Sequence, residues 1–394
     1  MKNALPKGFT AAGITAGIKK AGKKDLGLIF SETPAATAAM YTRNRVQAAP
    51  VRLDRERTAG GRAQAVIVNS GNANCCTGTQ GDEDARSMAR LAAEGLGVRE
   101  ELVLVASTGV IGEPMPMERI AAAIPELTRS LSPEGLDDLA EAIMTTDTVP
   151  KVVVDGATAG GKPYTVCAAA KGAGMIRPDL ATMLCFVCTD VAAGPPLLQA
   201  ALAAAVDRSL NRITIDGDTS TNDTVILMAN GRSGAALQGR ADREAFQSLL
   251  DRVLVTVARE LVRDGEGVTK LVEIRVEGAP SDKDARTVAD TVAHSNLVKT
   301  ALFGEDANWG RILAAAGRSG IDLDPDRVDL FFDHVCMFSK GRGAGKDTEA
   351  QATAVLKKPE FNIVVNLNMG QGSASVITCD FSVDYVKINA DYRS

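Results

Sequence analysis

Short apolar runs alternate with longer amphipathic stretches along this chain of 394 residues. Residues 65–68 and 101–106 are short stretches rich in β-branched side chains, which predicts buried strands. Residues 82–96 lie between them and repeat apolar positions at helical spacing, which predicts a helix. The same reading continues along the first part of the chain, with helices over 118–124 and 135–144, a hairpin turn over 155–162 and a strand over 163–169.

The remainder of the chain ends in consecutive strands. The pattern predicts helices over 196–207, 241–263, 283–300 and 309–316. It predicts strands over 271–276, 329–332, 362–367, 374–379 and 382–388. Because strands and helices alternate early and strands follow one another late, the fold class is predicted to be α/β, in mixed layers with an antiparallel part.

A loop meets an apolar run near the middle of the chain. Residues 183–187 predict a short buried strand, and the loop before it ends in Ala181 and Thr182. A threonine hydroxyl becomes a good nucleophile mainly when its own α-amine is freed to act as the base. The Ala181–Thr182 peptide bond is therefore predicted to be a cleavage site, and two closely packed halves, 1–181 and 182–394, meet there.

Composition excludes several classes of protein. Hydrophobic residues make up 45% and charged residues 24% of the chain, which is ordinary for a soluble globular protein. The net charge is −5, with no basic stripe, only four tyrosines and one tryptophan, so a nucleic-acid partner is not expected. The apolar runs are too short to span a membrane, and residues 1–7 lack an apolar signal core. A cytoplasmic protein with no membrane partner is the expectation.

Cysteine and histidine usage narrows the chemistry. Seven cysteines in a chain of this length argue against a disulfide framework. Cys185 and Cys188 form a C-x-x-C inside an apolar run, where buried free thiols are favoured over a redox or zinc site. The two histidines, His294 and His334, accompany no catalytic signature and are predicted to be structural. No metal site is predicted.

Residues 107–112, Ser-Thr-Gly-Val-Ile-Gly, directly follow a predicted strand. Glycine and threonine are common in such places, so a plain strand-to-loop turn is one interpretation. The other is a pocket in which backbone N–H groups and the Thr108 hydroxyl face an oxygen that gains negative charge, an oxyanion hole. The residues alone leave both open.

Four other segments also have two interpretations. Glu266 stands between two glycines, which suits either a helix end with a solvated acid or a carboxylate that faces a cation. Residues 69–75 and 216–223 are dense in turn-forming side chains that would equally suit a polar site. Residues 340–347 suggest a phosphate loop but lack its first glycine and its Ser/Thr, so a flexible surface loop is predicted.

Taken together, the motifs resemble the ornithine acetyltransferase family, the glutamate N-acetyltransferases of arginine biosynthesis. The resemblance covers nearly the whole chain. The segments that carry it are residues 8–13, 69–74, 107–112, 144–147, 171–176, 181–184, 216–223, 265–267, 306–311 and 389–393. Residues 337–346 match nothing in the family's pattern, which leaves the role of that segment open.

The resemblance implies a layered α/β sandwich, similar to but distinct from that of the N-terminal-nucleophile hydrolases. It also implies self-cleavage between Ala181 and Thr182 into an α chain, 1–181, and a β chain, 182–394, which stay together in an α2β2 assembly. No cofactor is implied. Whether acetyl-CoA also donates the acetyl group is left open, since the sequence holds no recognisable CoA site.

The family's functional residues carry over onto matching positions. Thr182 would be the nucleophile, with Thr108 and Gly109 as oxyanion stabilisers. Ser394 stands where the family commonly ends in threonine, and it keeps the hydroxyl. The substrate contacts implied by the resemblance are Thr145 (or its neighbour Thr146), Lys171, Thr182, Glu266, Asn389 and Ser394.

The implied reaction moves an acetyl group from N2-acetylornithine to glutamate through an acetyl ester on Thr182. Two alternatives stand beside it. An N-terminal-threonine amidohydrolase or aminopeptidase would use the same nucleophile and pass the acyl group to water. An uncleaved, non-enzymatic ligand-binding protein would use no nucleophile at all.

Overall fold

The computed structural model describes residues 3–19, 22–177 and 183–391. These residues form two compact units, the first containing 3–211 and 218–261 and the second 212–217 and 262–391. Ala181, Thr182 and Ser394 lie outside the described residues. Among the described residues, no helix is both long and apolar enough to cross a bilayer.

The first unit is built around one large sheet. The strands and helices, in chain order, are β1 Phe9–Ile14, β2 Leu26–Tyr41, α1 Ala49–Thr58, β3 Arg62–Asn72, α2 Gly78–Leu96, β4 Val103–Val110, α3 Met117–Arg129, α4 Leu136–Ile143, β5 Lys151–Ala159, β6 Lys162–Lys171, β7 Leu184–Thr189, α5 Pro195–Arg208, β8 Thr224–Ala229 and α6 Arg240–Arg263. The strand order in the sheet is β4-β3-β2-β8-β7-β6-β5, and β1 pairs with β2.

Helices cover both faces of this sheet, because successive side chains of a strand point to opposite sides. Val66 of β3 belongs to the core cluster that includes Leu139 of α4. Its neighbour Ile67 belongs to the opposite cluster, with Met88 of α2 and Ile120 of α3. The predicted layered α/β fold is confirmed, and the strand and helix predicted at 65–68 and 82–96 lie within β3 and α2.

Strand β2 is a corner between two parts of the sheet. Its first part pairs with β3, its last part pairs with β8, and the register shifts between Phe30 and Ala35. Such a strand lets a sheet turn back over its own core. The turn brings the ends of β4 and β6 close together, although four strands lie between them in the sheet order.

Strand β7, predicted from the apolar run after the proposed cut site, is confirmed, and all six of its residues are buried. It pairs antiparallel with β6 and parallel with β8. β8 in turn pairs with β2. The predicted α and β chains would therefore share one sheet. The compact units do not follow the division at residue 182, since β7 and β8 belong to the first unit.

The second unit holds a smaller sheet with its own helices. The elements are β9 Leu271–Ala279, α7 Asp282–Ala293, α8 Asn296–Phe303, α9 Trp309–Gly317, β10 Asp329–Phe332, β11 Val335–Ser339, β12 Arg342–Gly343, α10 Lys346–Leu356, β13 Glu360–Asn366, β14 Gly372–Cys379 and α11 Val383–Asp391. The strand order is β12-β11-β10-β13-β9-β14, in which only β13 and β9 run parallel among the described strands. The core contains apolar side chains of this sheet and of helices α7, α9 and α10.

Some predictions for the second unit were wrong. The single helix expected over 283–300 is two helices, because Ser295 caps α8 by accepting a hydrogen bond from the backbone N–H of Val298. The strand expected over 382–388 is helix α11, where the Ser382 hydroxyl accepts from the backbone N–H of Tyr385. Residues 340–347 hold a turn, β12 and the start of α10, so the surface-loop prediction is correct only in part.

Candidate active site

The end of β4 packs unusually close to β3. Gly109 pairs with Gly71 in the parallel ladder, and the register breaks at Asn72. The φ angle of Gly109 is +134°, and a Cβ there would lie 2.4 Å from the carbonyl carbon of Gly71. Only glycine fits, and the irregularity re-aims the backbone at the strand end, as such bulges do next to many active sites.

Lys171, at the end of β6, reaches the neighbouring residue of β4. Its Nζ donates a hydrogen bond to Oγ1 of Thr108 over 3.1 Å, and both residues are buried. Because the Thr108 oxygen accepts this bond, the hydroxyl hydrogen remains a donor that can point elsewhere. The structure thus brings together three residues that the sequence placed in the site, namely Thr108, Gly109 and Lys171.

Asp147 lies beside this pair and was not predicted as a site residue. Its Oδ2 accepts from the backbone N–H of Thr145 over 3.0 Å, and its Oδ1 accepts from the backbone N–H of Gly172 over 2.7 Å. Lys151 Nζ contacts Oδ1 at 2.6 Å. Burial by itself raises the pKa of Asp147, but the ammonium groups of Lys171 and Lys151 and these hydrogen bonds outweigh it and lower the pKa to about 2.

Lys19 is a further cation within electrostatic reach of Lys171 and Asp147, and the sequence did not indicate it. Asp25 fixes its segment by accepting the backbone N–H groups of Ala16, Ile18 and Lys19 over 2.6–2.9 Å. The Lys19 stem packs on Gly71, since a Cβ there would lie 3.0 Å from Lys19 Cγ. Burial lowers the pKa of Lys19 to about 8, with Asp25 opposing this change.

The segment before β8 supports the ends of the neighbouring strands. Asn222 Nδ2 donates to the carbonyl oxygens of Ala73 and Ser107, at 2.7 and 2.8 Å. Asp223 Oδ1 accepts the backbone N–H of Met183 over 3.0 Å. Burial raises the pKa of Asp223 well above its ordinary value, which favours its neutral form. These residues of the 216–223 segment therefore brace the strands, which favours its structural interpretation.

In the second unit, Glu266 and Asn389 pair with each other. Asn389 Nδ2 donates to Glu266 Oε2 over 2.8 Å, and Glu266 is largely buried. The next residue, Gly267, has a φ angle of +67°, and a Cβ there would lie 2.5 Å from the backbone nitrogen of Tyr385. The glycine after Glu266 thus allows the backbone at Tyr385 to approach closely. Such a close approach is what the interpretation of Glu266 as a carboxylate that faces a cation required. Helix α6 ends at Arg263, as predicted, just before this turn.

The remaining predicted site residues have no described position. Ala181, Thr182 and Ser394 lie outside the described residues.

Cys185 and Cys188 are buried free thiols in β7, and burial raises the pKa of the Cys185 thiol to about 12. His294 sits at the C-terminal end of α7, where its Nδ1 lies 2.6 Å from the carbonyl oxygen of Asp290, so a structural role is supported.

Known proteins resemble this chain along nearly its full length. The ArgJ family model matches residues 10–394. The arginine biosynthesis bifunctional protein ArgJ of Geobacter sulfurreducens is 56% identical over 390 residues, which is 98% of this chain and 99% of the relative. The protein of the same name from Symbiobacterium thermophilum is 53% identical over 393 residues, which is 99% of this chain and 98% of the relative.

One solved structure adds a partial match. A crystal structure of the arginine biosynthesis bifunctional protein ArgJ from Bacillus halodurans is 42% identical, with a TM-score of 0.51, and covers 54% of this chain and 100% of its own. These similarities do not favour the amidohydrolase alternative. With a family model that matches residues 10–394 and relatives more than half identical over its length, this chain belongs to the ArgJ family.

Proposed function

We propose that this chain is a glutamate N-acetyltransferase that moves the acetyl group of N2-acetylornithine to glutamate in arginine biosynthesis. The observation that carries this is the contact between Lys171 Nζ and Thr108 Oγ1, beside the close-packed Gly109. This contact places the buried Lys171 ammonium beside the Thr108 hydroxyl and the irregular backbone at Gly109. Acyl transfer needs such a group of donors to stabilise the tetrahedral intermediate. The names of the relatives support the placement in arginine biosynthesis.

Activation begins with cleavage between Ala181 and Thr182. The Thr182 hydroxyl oxygen attacks the carbonyl carbon of Ala181, and the C–N bond breaks to leave an ester and the free α-amine of Thr182. Water then hydrolyses the ester, which releases the Ala181 carboxylate and restores the Thr182 hydroxyl. One observation supports this: β7 is held on both sides by strands, so a cut before it leaves its sheet pairing intact.

The transfer itself has two half-reactions. The freed α-amine of Thr182, with a reference pKa of about 7.7–8.0, takes the hydroxyl proton near neutral pH. The hydroxyl oxygen forms a bond to the acetyl carbon, Thr108 and Gly109 stabilise the oxyanion, and the proton leaves with ornithine as the C–N bond breaks. The amine of glutamate then attacks the threonine ester, and the proton returns to the Thr182 oxygen as N-acetylglutamate departs.

Binding requires groups of both signs, because each substrate carries a carboxylate and ornithine also carries an ammonium. We assign Lys171 to a substrate carboxylate and Glu266 to the ornithine ammonium. The substrate contacts implied by the resemblance that complete the assignment are Thr145, Asn389 and Ser394. Of the Thr145–Thr146 pair, Thr145 is preferred because Asp147 holds its backbone N–H.

The assembly and its setting are also part of the proposal. The shared sheet gives the two cleaved chains a reason to stay together, and an α2β2 assembly in the cytoplasm stays a prediction. Use of acetyl-CoA as a second donor would make the enzyme bifunctional, as the names of its relatives state for them. A direct assay of glutamate acetylation by acetyl-CoA tests that point.

The central experiment measures both cleavage and transfer. Intact-mass spectrometry of the purified protein should give two chains, of residues 1–181 and 182–394. Incubation with N2-acetylornithine and glutamate should place the acetyl group on glutamate, and Thr182→Ala should abolish both cleavage and transfer. Free acetate formed regardless of added glutamate would support the amidohydrolase instead. An unbroken chain in an active preparation would refute the proposed activation of Thr182.

A further inference from the structure

The Asp147 carboxylate joins two chain segments that the proposed function assigns to substrate binding. One of its oxygens holds the backbone N–H of Thr145, and the other holds the backbone N–H of Gly172, directly after Lys171. These segments flank the β5–β6 hairpin, in which Lys151 pairs with Ala170. One carboxylate therefore links the Thr145 and Lys171 backbones just beyond the end of that ladder.

The charge on this carboxylate is balanced by a lysine that takes no part in the proposed chemistry. Lys151 Nζ lies 2.6 Å from Asp147 Oδ1, and the two side chains are 1% and 0% exposed. Removing two charges from water is costly, and a buried ion pair seldom stabilises a fold more than apolar residues would. Stability is therefore a poor reason for this pair, whereas its hydrogen bonds to both site segments provide another.

The local charges sum to an excess of positive charge. Asp147 faces both Lys151 and Lys171. Lys19 lies within electrostatic reach of Asp147 and Lys171, and also of Lys23 and of Asp25, the carboxylate with the largest effect on its pKa. Asp223 also faces Lys171, but its burial favours the neutral form. Asp147 is therefore a charged carboxylate that Lys151 and Lys171 share, and the surplus positive charge of the cluster suits the binding of a substrate carboxylate.

We propose that Asp147 is a positioning residue for acetyl transfer: it fixes the Thr145 and Lys171–Gly172 backbones relative to each other and supplies the buried counter-charge that Lys151 and Lys171 share. The inference rests on the proposed function, because it assumes that Thr145 and Lys171 contact the substrates. Asp147 itself need not touch them.

Asp147→Asn tests both parts of this role. Asparagine keeps one acceptor oxygen but loses the charge, so one N–H group loses its partner and the Lys151 and Lys171 ammonium groups lose the counter-charge that they share. We expect KM for N2-acetylornithine and for glutamate to rise about tenfold each. We also expect the alkaline limb of the kcat/KM profile to move to lower pH by about one unit, because without this carboxylate a buried ammonium group loses its proton more easily.

Two further variants separate charge from hydrogen bonding. In Asp147→Asn/Lys151→Met one of the two cations that share the Asp147 carboxylate is removed together with it, so the alkaline limb should return towards that of the wild type while KM stays raised. In Lys151→Met alone, the Asp147 carboxylate is no longer shared with Lys151 and stabilises the charged form of Lys171 more strongly, so the alkaline limb should move to higher pH. This single variant also tests the proposal if Asp147→Asn does not fold, as judged by circular dichroism and thermal melting.

The outcomes distinguish this inference from the function on which it rests. A wild-type protein that does not acetylate glutamate would refute the proposed function. If the wild type is active, a folded Asp147→Asn with an unchanged KM and an unchanged alkaline limb would overturn the positioning role alone. An unmoved limb in Lys151→Met would also overturn it. A lower melting temperature as the sole change would mean that Asp147 is merely structural.

Discussion

The carboxyl group of Asp223 accepts a hydrogen bond from the backbone N–H of Met183 over 3.0 Å. Met183 is the residue that directly follows the proposed nucleophile, Thr182, and it precedes the first residue of β7. Asp223 precedes the first residue of β8, the neighbouring strand. The side chain therefore fixes the entry to β7 at the point where a new N-terminus would form.

Replacing Asp223 should show how much this bond stabilises the strand entry. Asp223→Ala leaves the buried N–H of Met183 without its partner and should lower the free energy of unfolding by roughly 1–3 kcal/mol. Asp223→Asn keeps a carbonyl oxygen of the same shape and, like the favoured form of Asp223, is neutral, so it should lose less. Urea unfolding of the three proteins measures this. Equal losses in both variants would contradict the assignment.

The Thr108 hydroxyl should matter for the rate more than for the fold. Thr108→Val keeps the shape of the side chain but removes the proposed oxyanion donor, so kcat should fall about 100- to 1000-fold. Thr108→Ser keeps the hydroxyl and should stay within about tenfold of the wild type. Steady-state kinetics with N2-acetylornithine and glutamate gives both values. If the valine variant is as active as the serine variant, Thr108 is not an oxyanion donor.

Gly109 should tolerate no side chain. In Gly109→Ala the new Cβ would lie 2.4 Å from the carbonyl carbon of Gly71, so β3 and β4 must separate at the site. Gly112→Ala is the matched control, because its φ angle of +83° is also unfavourable for alanine but no atom lies within 4 Å of the added Cβ. Both variants should lose roughly 1–2 kcal/mol of stability to the backbone strain. Gly109→Ala alone should lose transfer activity, and equal activity in the two would count against the close packing.

Sequence patterns predicted the elements whose periodicity has a single interpretation. β7 and α6 are examples: one is an uninterrupted apolar run, and the other is a long amphipathic stretch ended by Asp264-Gly265. The strand predicted at α11 was wrong, because its β-branched residues Val383 and Val386 favour strands in sequence but are exposed in the structure and serve no core. A cap at Ser382, rather than periodicity, decides its structure.

The sequence indicates the candidate site only as far as its motifs carry the resemblance. The motifs point to Thr108, Gly109 and Lys171, and the fold brings these residues together through the corner in β2. Asp147 belongs to the motif at residues 144–147, but nothing in its neighbours predicts that it would bind Gly172, which is 25 positions away. Lys19 offered no local signal either, because its packing on Gly71 depends on the path of a loop. Long-range contacts of this kind need the tertiary structure.

Stability at acid pH should depend on Asp147. Its folded-state pKa of about 2 lies below the ordinary value of 3.8, so the unfolded chain takes up the proton first as the pH falls. The resulting stabilisation, about 2 kcal/mol, is present above pH ~4 and is lost as the pH falls through ~2. Urea unfolding of the wild type and Asp147→Asn at several pH values measures the difference between them. A difference that stays constant from pH 5 to pH 2 would show that Asp147 has an ordinary pKa.

Glu266 should discriminate between the two substrates. Glu266→Gln keeps an oxygen that can accept from Asn389 Nδ2 but removes the charge proposed to face the ornithine ammonium. A hydrogen bond to a charged group contributes roughly 1.5–3 kcal/mol, so KM for N2-acetylornithine should rise about ten- to a hundredfold. KM for glutamate, which has no side-chain ammonium, should change far less. Glu360→Gln, which removes an exposed carboxylate paired with Arg263, is the matched control and should leave both KM values as they are. An equal rise for both substrates in Glu266→Gln would assign Glu266 to a group that they share.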